Sequence, residues 1–170
     1  PMLVMWESLH ACGMGEIADG YLLDTLRRIS TFGIDLVTLD IRQESSRHAQ
    51  AIAEITTFLE LGDYLRWDES KRCDFLRHEL ANPRPLMSYE FKPSDDVAEV
   101  LKTCKVIAGA DPASLGSYVI SMARQPSDIL AVMLLQKAYG VTQPLPVAPL
   151  FETLDDLERA PAVLTSLLSD

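Results

Sequence analysis

Three short apolar runs in this chain break abruptly into charged and hydrogen-bonding residues. Leu36 to Ile41 runs into Arg42-Gln43-Glu44-Ser45, Gly116 to Ala123 into Arg124-Gln125-Pro126-Ser127-Asp128, and Val147 to Phe151 into Glu152-Thr153. In a parallel α/β sheet such a break marks the carboxyl end of a strand, where these folds place their chemistry. Three junctions of one kind therefore predict about three parallel strands that open toward one rim.

Between the runs the apolar spacing is helical. Tyr21, Leu22, Leu26 and Ile29 define a helix from Asp19 that Gly33 is placed to end. Ser45 or Ser46 can cap a helix carrying Ile52, Ile55 and Leu59, and Asp68 starts one carrying Cys73, Leu76 and Leu80 that Asn82-Pro83-Arg84-Pro85 stops. Pro83 to Pro93 reads as a loop, after which Ser94 caps a helix through Val97, Val100, Leu101, Cys104 and Ile107. More than one helix thus separates the first two strands, which suits a (β/α)8 barrel with extra helices better than a minimal one. Pro126, Ser127 and Asp128 fit the first turn of the next helix, whose nearly continuous apolar run from Ile129 to Leu135, Met133 included, predicts burial. Thr153 caps an acidic turn from Leu154 to Leu157, Pro161 opens the last helical segment, and Pro1 to Met5 reads as an incoming strand.

Composition narrows the functional classes. With 170 residues, 48% of them hydrophobic and 24% charged, the chain can bury one ordinary core, and residues 1–170 are expected to be a single segment. A formal net charge of −10 argues against nucleic acid or an anionic membrane as the main partner. Cys12, Cys73 and Cys104 are odd in number, with no paired ligand spacing, so neither a disulfide framework nor a zinc site is expected and a reducing cytoplasm fits. No apolar run approaches the roughly 20 residues of a membrane span.

Two residues carry the candidate chemistry. Arg42 follows an apolar strand, where a guanidinium can present a planar fork to a phosphate or carboxylate, or else pair with Asp40 or Glu44. Glu152 ends the third strand at the same rim, as a hard oxygen ligand for a divalent cation or as a helix N-terminal acid. The other polar residues have plainer readings. Arg47 suits a surface salt bridge, His10 a hydrogen-bonded structural histidine, and Asp155 and Asp156 helix capping in contact with solvent. Gly13 and Gly15 suggest a tight connection, since no preceding strand makes them a nucleotide loop.

The segments LDIRQESSRH, SYVISMARQPSDILAVMLLQKAYG and VAPLFETLDDLERA, with ESLHACGMGEIADGYLLDTLRRISTFG ahead of them, resemble the central part of bacterial-type phosphoenolpyruvate carboxylases in this order and spacing. The resemblance runs the length of the chain and implies part of a TIM-type α/β barrel that is mostly helix. It implies an enzyme that forms oxaloacetate and phosphate from phosphoenolpyruvate and bicarbonate. It assigns Arg42, in the intact Arg42-Gln43-Glu44-Ser45 motif, to the substrate phosphate as a catalytic residue, and Glu152 to Mg²⁺ or Mn²⁺. A homotetrameric cytoplasmic parent is implied as well. That family's chains are several times longer, and its catalytic histidine motif, second metal carboxylate and Gly/Arg-rich loops have no counterpart here. The chain therefore reads as an internal piece that is inactive alone. A non-catalytic α/β scaffold with merely structural strand ends is the competing reading of the same junctions.

Overall fold

The computed structural model describes residues 1–33 and 37–168, so the expected strand start at Leu36 lies outside the described residues. The chain divides into two compact units, Pro1–Thr38 and Leu39–Asp170.

The first unit is helical. Helix α1 spans Met2–Ala11, α2 spans Gly15–Ile17, a π-helical turn covers Ala18–Leu22, and α3 spans Leu23–Phe32. The strand expected over Pro1 to Met5 is instead the first turn of α1. A short apolar run does not distinguish the two states, and here Met5 N donates to the Pro1 carbonyl at 3.2 Å, the bond of a first helical turn. Gly33 ends α3 at φ 64°, as the sequence predicts. Asp19 ties the unit's polar groups together, because one carboxylate oxygen accepts from Trp6 Nε1 at 3.0 Å and faces His10 Nε2 at 2.9 Å. These contacts, His10 foremost, hold the Asp19 carboxyl below its ordinary range.

The second unit is a three-stranded parallel sheet in the order β1-β2-β3, with β1 at Leu39–Glu44, β2 at Leu115–Ser121 and β3 at Val147–Pro149. Helices α4 (Ser45–Phe58), α5 (Glu69–Ala81) and α6 (Asp95–Gly109) separate β1 from β2. Helix α7 (Pro126–Ala138) separates β2 from β3, and α8 (Leu154–Leu168) follows. This is the α/β, mostly helical arrangement expected of a section of a larger barrel. Ile41, Tyr118 and Val147 form one register row, and Arg42, Val119 and Ala148 form the next. Register partners share a face, so the two rows look to opposite sides of the sheet. Tyr118 and Ile120 are fully buried in a cluster with Ile107, Ile129, Val132 and Val163 from the helices. The Arg42 row is on the other side.

Local chemistry sets most boundaries. Asp68 accepts from Lys71 N at 2.9 Å to start α5, and Ser94 accepts from Val97 N to start α6 as predicted; Val97, Val100, Leu101, Cys104 and Ile107 of α6 are all buried. Four further expectations fail. Neither Ser45 nor Ser46 caps α4, because β1 continues in extended conformation through Glu44, which takes the cap position without a side-chain bond. Arg42 accordingly lies inside the strand and not after it. Met133 is 43% exposed while its neighbours are buried, so the α7 run keeps one open position. Helix α8 runs unbroken through Pro161, held on both sides by buried anchors, Asp156 before it and Val163 after it.

Candidate functional site

At the carboxyl end of β1 nearly every polar side chain is tied to the protein. Gln43 Oε1 accepts from Glu44 N at 3.0 Å, and the Glu44 carboxylate accepts from Ser46 Oγ at 2.7 Å. Ser45 Oγ donates to the Met122 carbonyl at 2.9 Å. Arg47 bridges to α6 through Asp96 at 3.1 Å and Glu99 at 2.8 Å, the salt-bridge role expected of it. His48 is fully buried, with Nε2 at 2.9 Å from the Tyr118 hydroxyl and Nδ1 without a partner, and burial pushes its pKa down to about 4. It is therefore neutral at physiological pH. Asp40, the alternative partner for Arg42, instead accepts from Ser117 N at 2.8 Å, where the β1–β2 register shifts.

Arg42 is the exception. Its side chain is exposed and makes no hydrogen bond or ion pair with any described residue. The two structural pairings open to it in the sequence, with Asp40 or with Glu44, are not formed.

The turn after β2 faces this segment. Met122 has φ 56°, a left-handed conformation that a non-glycine residue adopts only under constraint. Arg124 N and Gln125 N both donate to Asp128 Oδ2, at 2.9 and 3.0 Å, which starts α7 with a capping box. Burial nonetheless raises the Asp128 pKa against those two bonds.

After β3 the structure separates Glu152 from Asp156. Glu152 lies three residues beyond the last strand residue, exposed and without a hydrogen bond or ion pair to any described residue. Asp156 is buried at 1% exposure, contrary to the expectation of a solvent contact. It accepts from Thr153 N at 3.2 Å and Arg159 at 3.2 Å, and Arg124 Nε stands 3.8 Å away. Thr153 above all, with Arg159 and Arg124, keeps the Asp156 carboxyl below its usual range. Asp156 thus neutralises arginines from α8 and from the turn after β2, a role the sequence announces only as a Thr-x-x-Asp cap. Arg124, three residues beyond the end of β2, is not among the candidate residues; its signal in the sequence is its place at the head of the second strand-to-polar junction.

No three His, Cys, Asp or Glu side chains come together to hold a metal among the described residues. One free, exposed carboxylate such as Glu152 fits a Mg²⁺ ion, which takes one or two protein carboxylates and completes its shell with water and substrate oxygens. No helix among the described residues is long and apolar enough to cross a membrane.

Similarity to known proteins extends over the whole chain. It is 62% identical over 169 residues to the phosphoenolpyruvate carboxylase of Stutzerimonas stutzeri, covering 99% of this chain and 19% of that protein. The corresponding figures are 61% for the Pseudomonas aeruginosa enzyme and 58% for that of Pectobacterium carotovorum, at the same coverage. The chain spans about 19% of the length of the curated relatives it matches. The phosphoenolpyruvate carboxylase family model matches residues 1–170, and the chain belongs to that family.

Proposed function

We propose that this chain is the section of a phosphoenolpyruvate carboxylase that supplies a phosphate ligand, Arg42, and a metal ligand, Glu152. The full protein then forms oxaloacetate and phosphate from phosphoenolpyruvate and bicarbonate, as a cytoplasmic homotetramer. The observation that carries the reading is the isolation of Arg42: from Arg42 to His48, it alone has no partner among the described residues. A guanidinium held on a strand with none of its five donors spent on a described residue is suited to a phosphate, which its fork can grip through two parallel N–H···O bonds.

Two steps make up the reaction. The ester P–O bond of phosphoenolpyruvate breaks as a bicarbonate oxygen bonds to phosphorus, leaving the enolate of pyruvate; the enolate carbon then bonds to the carbon of the carboxyl donor as phosphate departs. Arg42 holds phosphate oxygens in both steps and balances the charge that spreads over them during transfer. Glu152 would hold a divalent cation, which would supply charge neutralisation for phosphate and enolate. Backbone rigidity at the rim keeps Arg42 aimed, since Gln43, Glu44 and Ser45 each spend their polar groups on the protein.

Steady-state kinetics of Arg42→Ala in the full-length enzyme carrying this segment test the proposal. Losing a charged phosphate contact raises KM for phosphoenolpyruvate and lowers turnover, with kcat/KM falling about 10²- to 10³-fold. Unchanged kinetics at limiting and saturating phosphoenolpyruvate would dismiss it.

A further inference from the structure

The last rung of the β1–β2 ladder pairs Glu44 with Ser121. One residue on, Ser45 has entered α4 and Met122 has turned left-handed, so their backbones no longer pair in the sheet. The Ser45 hydroxyl supplies the missing rung by donating to the Met122 carbonyl at 2.9 Å, and Ser45 is only 8% exposed. The far end of the same turn is fixed by Asp128, which accepts from Arg124 N and Gln125 N. One helical turn beyond Ser45, His48 meets Tyr118 of β2 at 2.9 Å, so α4 is fastened both to β2 and to the turn that follows it.

We propose that Ser45 is a positioning residue for Arg42, acting through the strained Met122 carbonyl to lock the end of β1 against the turn after β2. A left-handed methionine persists only where its surroundings over-determine it, and such strain collects where a site must be preorganised. Without the side-chain rung, β1 is free to shift at its carboxyl end, two residues from Arg42, and the guanidinium loses its fixed approach to a bound phosphate. The inference rests on the reading of Arg42 as the phosphate ligand.

A double-mutant cycle in the full-length enzyme separates the two ideas. Ser45→Ala, Arg42→Ala and the double variant are compared for KM of phosphoenolpyruvate, kcat and melting temperature. Ser45→Ala is expected to raise KM about three- to tenfold, the range that one lost hydrogen bond can produce. In the Arg42→Ala background the same change should leave KM where it was, because nothing remains to be positioned. An equal fold-change in both backgrounds would reduce Ser45 to a structural residue, and an unchanged KM in Ser45→Ala beside an impaired Arg42→Ala would overturn the inference alone. A harmless Arg42→Ala would sink both readings. Should Ser45→Ala fail to fold, Ser45→Cys keeps the shape with a weak donor; it should show the same Arg42-dependent rise, and a wild-type KM in that variant would count against the proposal.

Discussion

Gln136, fully buried in α7, grips the backbone of Leu145 with both ends of its amide: Oε1 accepts from Leu145 N at 2.7 Å, and Nε2 donates to Leu145 O at 3.2 Å. The pair fixes the chain two residues before β3 begins at Val147. Gln136→Leu keeps the volume and leaves a buried N–H and C=O unpaired, a cost of about 2 to 4 kcal/mol. Thermal unfolding of the full-length protein should show the loss. An unchanged melting temperature would mean that β3 is seated by its sheet bonds alone.

His48 gives a pH dependence of definite sign. Its folded pKa, pushed down to about 4 by burial, lies below the ordinary value of 6.5. Between those values the unfolded chain binds a proton that the folded chain refuses, so stability falls as pH drops from about 6.5 to about 4, by up to about 3 kcal/mol. His48→Phe removes this component. The melting temperature of the wild-type protein should fall relative to that of His48→Phe as pH is lowered through that window, and parallel curves would show that His48 titrates normally.

The parts of the fold legible in the sequence are those decided by neighbours in the chain. Asp68 and Ser94 cap their helices because a short oxygen-bearing side chain satisfies an amide two or three residues on, and Gly33 stops α3 because it takes a positive φ without strain. The three strands follow from their apolar runs. What stayed hidden depends on residues far apart in sequence. Ser45 looks like a cap, and its hydroxyl goes instead to Met122, 77 positions away. Asp156 looks solvated, and it is buried because Arg124 and Arg159 converge on it. Pro161 looks like a helix start, and packing on either side overrides that preference. At the candidate site, sequence marks Arg42 and Glu152 as the candidates; that neither makes a hydrogen bond or ion pair with a described residue could be learned only from the structure.

Glu152→Gln tests the metal assignment. The amide keeps the shape and loses the charge that attracts Mg²⁺, so the full-length variant should need about tenfold or more Mg²⁺ or Mn²⁺ for half-maximal activity, a difference of about 1.4 kcal/mol in ion binding. A titration curve that does not move would leave Glu152 as an acid preceding α8 and nothing more.

The central claim, that Arg42 is kept free in order to hold the substrate phosphate, is most directly tested by arginine-specific labelling of the full-length enzyme. Phenylglyoxal reacts with accessible, unpaired guanidinium groups, and peptide mass spectrometry reads the adduct at Arg42. With Mg²⁺ present and bicarbonate excluded, saturating phosphoenolpyruvate should suppress modification at Arg42 while leaving Arg47, held by Asp96 and Glu99, at its low basal level. Modification of Arg42 at the same rate with and without phosphoenolpyruvate would contradict the account.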